Sequence, residues 1–348
     1  MKHKFIIYIA VLTLLICSLA NAEGTASEIN GMYGENLSVD LSKDTFIPDS
    51  NICAYECEAA IFDRETMQSA FGDDLSIDTE MNTATWSYLG GELSLSSDGR
   101  LYFAKGNADD YLNAVGYAKD ANDMIMSSYI VNEAPLSTLS TEDAEEQILS
   151  MYQSIPWPQS CVEVKPTVEL VPFNSDNIQN VYDITDENDW WLKSSHGDSV
   201  KSLLDNGVEF YYATVQFQID DVPISMDGYT MTNERYINGC RMTFIVNTDG
   251  IICMSMDDVY IPTQAVSDSS DVMTASEVLD KIGEFFDQII MDKPMVITDM
   301  KFDYYPMASD SSNGYLLQPA WHVYLYDEDS DTGTWVAVNA STGEFLNL

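Results

Sequence analysis

Positive charge is scarce in this sequence. Fifteen Lys and Arg stand against 57 Asp and Glu, a formal charge of −42. Nucleic acid holds its proteins through Lys and Arg that displace counterions, and no basic cluster is present to do so, so nucleic acid is not an expected partner. An anionic membrane surface or wall polymer would be repelled for the same reason. Histidine is scarcer still, with three in the chain, at His3, His196 and His322. With no paired C-x-x-C beside them, no metal centre and no cofactor is expected. Phosphate loops, dinucleotide fingerprints and H-E-x-x-H are absent too.

Cysteine is too sparse and too irregular for a disulfide scaffold. Besides Cys17 there are Cys53, Cys57, Cys161, Cys240 and Cys253. That odd number leaves at least one thiol unpaired unless it pairs between chains. Cys53 and Cys57 can bridge locally only if that stretch is helical, and Cys240 and Cys253 flank a hairpin without standing opposite each other.

The N-terminus does carry a pattern. After Met-Lys-His-Lys the chain is apolar from Phe5 to about Leu19, then reads Ala20-Asn21-Ala22 before Glu23. This is a secretory signal with cleavage expected after Ala22; the alternative is an uncleaved N-terminal anchor, for which the run falls short of the ~20 residues of a spanning helix. Bulky Ile16 argues against a lipoprotein reading of Cys17. No later stretch is long and apolar enough to span a bilayer. Loss of residues 1–22 removes Lys2 and Lys4 and no acid, so the mature chain is two charges more negative. That acidity is read first as solubility outside the cell, and second as recruitment of cations.

With 45% hydrophobic and 11% aromatic residues the chain can bury real cores, and its length fits two domains of roughly 100 to 200 residues. Residues 23–80 read as an irregular N-terminal arm. "GELSLSSDGRLYFA" is a hairpin about Asp98-Gly99, and "CRMTFIVNTDGIICMSM" is another about Asp249-Gly250, since Asp-Gly supplies the positive φ of a tight turn. Each is followed by a capped amphipathic helix, one opened by Ser140 with Asp143, the other by Thr274 with Glu277. The apolar faces run Ala144, Ile148, Met151, Tyr152, Ile155 and Val278, Ile282, Phe285, Phe286, Ile289, at a constant offset of 134 residues. "VEVKPTVELVPF" lies on "VITDMKFDYYPM" at the same offset, which reads as an internal duplication.

The expected architecture is therefore α+β. It has two tandem units of order ββαβββ, each an antiparallel sheet with one main helix on it and the other face open to solvent. The first unit is placed at 81–230, with an insertion at 174–207 that holds a short helix near Val200 to Leu204, and the second at 231–348.

The final stretch, "TASEVLDKIGEFF", "FDYYPM", "PAWHVYLY" and "VAVNASTGEFL", resembles PepSY-type modules and the related exported YycH/YycI regulators of Gram-positive two-component systems. The closing pattern stands here as Val336, Val338, Ala340, Thr342, Gly343 and Glu344. The resemblance implies extracytoplasmic binding or inhibition of a partner protein, such as a peptidase or sensor kinase, without catalysis by the module. The clean A-x-A site departs from the anchored regulators, and so from the sensor-kinase version.

Chemistry is thin elsewhere. "KSSHGDSV" places Ser194, Ser195, His196 and Asp198 together, but triads assemble in space, and a turn at Gly197 explains the run. His322 is expected to project from a strand face. "DEDSDTG" offers alternate carboxylates at Asp327, Asp329 and Asp331 as a weak Ca²⁺ candidate; Gly333 comes one place late for an EF-hand, and Val338 stands where its last acid belongs. Trp190 and Trp191 in the insertion are the candidate partner-binding residues. The function expected is a secreted, non-catalytic binding protein that regulates or inhibits an extracytoplasmic partner. Its rivals are an extracellular hydrolase and a Ca²⁺-dependent surface module.

Overall fold

The computed structural model describes residues 29–43, 52–78, 82–119, 125–188, 196–226, 229–232, 235–256, 258–266, 272–288, 295–309, 314–327 and 332–346. Strands β1 (Gly31–Met32), β2 (Leu37–Val39) and β3 (Tyr55–Ala59) lead into helix α1 (Arg64–Phe71). Strands β4 (Leu75–Asp78), β5 (Thr83–Tyr88), β6 (Gly91–Leu95) and β7 (Leu101–Ala104) follow, then helices α2 (Ala108–Ala118) and α3 (Thr141–Ser154). Next come β8 (Lys165–Phe173), α4 (Ser175–Asn188), α5 (His196–Asp205) and β9 (Phe210–Ile219). A run of strands succeeds them: β10 (Val222–Pro223), β11 (Tyr229–Thr232), β12 (Arg235–Asn238), β13 (Arg241–Asn247), β14 (Gly250–Met256) and β15 (Tyr260–Ala265). Helix α6 (Ala275–Phe286) and strands β16 (Met295–Ala308), β17 (Tyr315–Asp327) and β18 (Thr332–Asn339) complete the fold.

Two sheets organise these elements. The first runs β10-β9-β13-β14-β7-β6-β5-β4, with β8 also on β9; the second runs β1-β2-β16-β17-β3-β15, with β18 also on β17. Pairing is antiparallel except where β2 meets β16. The class is α+β, as expected. β16 shows why a strand forms there: Met300, Phe302 and Tyr304 enter the core, while Lys301, Asp303 and Tyr305 turn to the other face, the period of two that a pleated strand imposes.

Both expected helices begin where their caps were placed. Ser140 accepts from the Asp143 amide, and Thr274 forms a complete reciprocal capping box with Glu277, which satisfies amides that the first helical turn leaves unpaired. Ala144, Ile148 and Met151 are buried in α3, and Val278, Leu279 and Ile282 in α6. Each helix precedes a three-stranded meander, β8-β9-β13 after α3 and β16-β17-β18 after α6. Pro172 stands opposite Tyr211 in the first and Pro306 opposite Leu317 in the second. In the terminal pattern Val336 and Val338 join the main core, Ala337 between them is buried on the opposite face, and Gly343 has φ +74° in the turn that follows.

Sheet membership does not follow the expected boundary at 230/231. β13 pairs with β9 from Arg241 opposite Gln216 to Val246 opposite Tyr211, so the hairpin assigned to the start of the second unit completes the first sheet. The stretch 23–80 is corrected as well. Far from an irregular arm, it gives β1 to β3 to the second sheet and β4 to the first. Apart from the five residues of β3, its strands are too short to show a period of two, and long-range contacts hold them. The Asp287 carboxylate accepts from the Glu35 and Asn36 amides at 2.8 and 3.2 Å. A side chain at Gly283 would meet the Tyr33 carbonyl 2.2 Å away, which explains glycine inside α6.

The open second face is the other correction, for both sheets: Asp303, Tyr305, Ala320, His322 and Ala337 are buried on the side of the second sheet away from the main core, and the first sheet is covered too. β9 is buried on both sides: Tyr211, Ala213, Val215 and Phe217 join the main core, whereas Phe210 and Tyr212 join a second cluster with Phe173, Ile245 and Ile252. Helices α2, α4 and α5 cover that cluster through Ala114, Ile178, Val181, Val200 and Leu203. The insertion 174–207 thus supplies two helices where one was expected. Asn177, fully buried, fixes them: its Oδ1 accepts from Val131 and Asn132, and its Nδ2 donates to Asn132 and Pro172.

Hydrogen bonds from the Thr274 amide and hydroxyl hold the Glu277 carboxyl below its usual range. A lowered folded-state value means that the contribution is present above the ordinary carboxylate range and lost as pH falls through the lowered one. Thr274→Ala is expected to cost about 1 kcal/mol at pH 7 by urea denaturation, and less at pH 3; an equal loss at both would show that the carboxylate takes no part.

Candidate functional site

The expected signal 1–22, Trp190, Trp191, Ser194, Ser195, Asp329 and Asp331 lie outside the described residues. Asp327 ends β17 opposite Thr332 of β18, in a strand hairpin. Among the described residues no group of three or more His, Cys, Asp and Glu is arranged to hold a metal, and no helix is long and apolar enough to cross a membrane. His196 opens α5 rather than a turn. Asp198 in the first turn suits the helix dipole, and Val200 and Leu203 supply the apolar face. The described cysteines are all free. Cys53 and Cys57 lie in extended chain rather than on a helical turn, and Cys253 stands opposite Ile245. Burial pushes the Cys240 thiol up to about 12, against a lowering contact from the Tyr260 amide.

His322 does project from a strand, but into a sealed position. Its Nδ1 lies 2.8 Å from the Asp303 carboxylate, with each side chain 1% exposed. Lys301 is opposite His322 and Asp303 opposite Ala320, so the pair spans β16 and β17 diagonally on one face. Tyr305 packs edge-on to the imidazole at 5.1 Å, and Lys301 lies over the Trp335 ring at 4.7 Å. Asp303 was missed in the sequence. Alternation along "KFDYY" marks its face, but only the register of β16 on β17 brings it to His322. A dyad this enclosed favours the strand register that pairs it.

Concave surfaces among the described residues include the following two. A cleft of about 640 Å³ lies between α3 and the β13–β14 turn, lined in part by Lys105, Asp143, Glu146, Gln147 and Asp249. Lys105 donates to the Asp249 carbonyl at 2.5 Å. The larger groove, about 1060 Å³, runs over β3 and β15 and is bounded by Pro158, Gln159, Gly314 and Tyr315.

That groove is the better site. β15 ends the strand order of its sheet. "YECEA" buries Tyr55 and Cys57 on one side and turns Glu56 and Glu58 to the other, about 7 Å apart along the strand. Ser309 donates to Glu56 at 2.9 Å and steadies it. Gln264 stands opposite Glu56 and Ile261 opposite Glu58, across a bulge between Pro262 and Gln264. Ile61 and Val266, 63% and 51% exposed, add apolar surface. Lys, Arg and His are absent from the described residues of its lining. In the sequence only the alternation of "YECEA" hinted at this site.

No family model matches the chain, and no curated protein matches it. The fold is similar to that in a crystal structure of an uncharacterized protein from Eubacterium rectale ATCC 33656. The likeness covers 91% of this chain and 92% of that one, with a TM-score of 0.57 and 14% identity. At that identity it speaks for the fold alone.

Removing one partner of this buried hydrogen bond leaves the other unsatisfied, so His322→Ala and Asp303→Ala are each expected to cost about 1–3 kcal/mol in urea denaturation. The double change Asp303→Leu with His322→Leu should cost less than the two single losses together. Single losses under about 1 kcal/mol would remove the pair's role in holding β16 to β17.

Proposed function

We propose that this is an exported, non-catalytic binding protein that docks an extracytoplasmic partner protein and regulates or inhibits it. The observation that carries this function is the groove over β3 and β15, where exposed Ile61 and Val266 adjoin the carboxylates of Glu56 and Glu58 at a sheet edge. Apolar contacts set within a polar rim are what a docking face needs. Export is supported by the N-terminal apolar run closed by Ala20-Asn21-Ala22. The PepSY-like closing pattern is in keeping with regulation through a partner, with a peptidase as the first class to try.

The test is capture of surface and secreted proteins of the source cell on the immobilised mature chain, compared with Ile61→Asp/Val266→Asp. Both side chains are already exposed, so the unfolding midpoint should hold while capture of the specific partner weakens at least tenfold. Undiminished capture by the double variant would move docking off this face and end the proposal.

A further inference from the structure

We infer that the cleft between α3 and the β13–β14 turn binds a free α-amino acid with an apolar side chain, its ammonium on Gln147 and its carboxylate on Lys105. The cleft shares no lining residue with the groove over β3 and β15, so the inference does not depend on docking there. Its volume of about 640 Å³ lies in the range of small-molecule sites. Gln147 carries the argument. Its Oε1 is buried and has no hydrogen-bond partner among the described residues, and a buried acceptor without a donor carries a cost in stability that a ligand donor relieves. Lys105 Nζ reaches the same corner: a Cβ added at Gly250 would lie 3.6 Å from it and 3.7 Å from Gln147 Oε1.

One donor and one acceptor this close to a single point select a ligand whose own acceptor and donor are neighbours. An α-amino acid carries both groups on one carbon, whereas each residue added to an extended peptide moves its termini about 3.3 Å further apart. Charge sets the orientation. Asp143 and Glu146 stand on α3 beside Gln147 and favour the ammonium at that end, and Lys105 is the basic residue of the described lining. Its ammonium, on a flexible stem, has donors for a carboxylate beyond the one it gives to the Asp249 carbonyl. Tyr88, Leu89, Leu139, Met151 and Ile251 supply the apolar lining. Leu89 is 55% exposed and holds φ +47° in the β5–β6 turn, where a bulky residue is strained and Asn or Gly is usual. A strained apolar side chain kept on a cleft is in keeping with contact to a ligand.

The experiment screens leucine, isoleucine, valine, methionine and phenylalanine, each at about 10 mM, against the full mature chain by its thermal unfolding midpoint, which a ligand of the folded state raises. The amino acid with the largest shift then goes to titration calorimetry beside the amine and the carboxylic acid that share its side chain. It is expected to bind at least tenfold more tightly than either analogue. Gln147→Met is expected to weaken it at least tenfold while the midpoint of the free chain holds or rises, because the variant removes a buried oxygen without a partner. Lys105→Gln is expected to weaken it at least tenfold as well. No shift from any of the five amino acids would overturn the inference, as would equal affinity for either analogue or binding that survives both substitutions. If Gln147→Met lowers the midpoint of the free chain, Lys105→Gln decides alone, and affinity unchanged in that variant overturns the site.

Discussion

The fold depends on burial of β9 from both sides. On the side away from the main core Phe210 and Tyr212 are apolar and buried, so a sheet with one wet face could not hold that end of the strand. One side of the strand enters a core that also contains Trp86 and Phe103 of its own sheet, Trp321 and Val338 of the other, and the inner faces of α3 and α6. The opposite side is sealed by α2, α4 and α5. A direct backbone link joins the sheets: Ile224, just past β10, bridges to Tyr304 of β16, and Ser225 donates to the Tyr304 carbonyl at 2.9 Å. Two sheets that share buried side chains in this way stand or fall together.

This arrangement also explains where function can sit. The enclosed Asp303–His322 pair and the satisfied amide of Asn177 specify register and helix placement, since a buried polar group costs stability in any arrangement that leaves it unpaired. Surface chemistry is left to sheet edges and loops carried on that frame. The groove over β3 and β15 is such an edge, with its carboxylates on a regular strand. A site on a strand keeps its spacing.

Several elements were legible: Ser140 with Asp143 and Thr274 with Glu277 announced two helix starts, and Asp98-Gly99 a turn. These are local signals, written within one turn or one hairpin. What escaped were pairings across long separations: β3 beside β17 and β15, β13 joined to β9 across the expected boundary, and α4 and α5 laid over Phe210 and Tyr212. Short strands such as Leu37–Val39 carry no periodicity, and their place is decided by Ile297 and its neighbours over 250 residues away. The groove over β3 and β15 was illegible for the same reason, because Glu56, Gln264 and Tyr315 meet only after the second sheet has formed. The Trp190-Trp191 pair drew notice by residue type alone, a weaker guide than placement.

One shared core makes the chain a single cooperative unit despite its repeated order of helix and meander. Native-state hydrogen exchange under increasing denaturant tests this most directly. Amides in the centre of β9 and in the centre of β17 should exchange through one opening, with the same free energy and the same denaturant slope. If the β16–β18 amides instead open at lower free energy while β9 stays protected, the sheets are separate folding units and the shared core is not what holds this protein together.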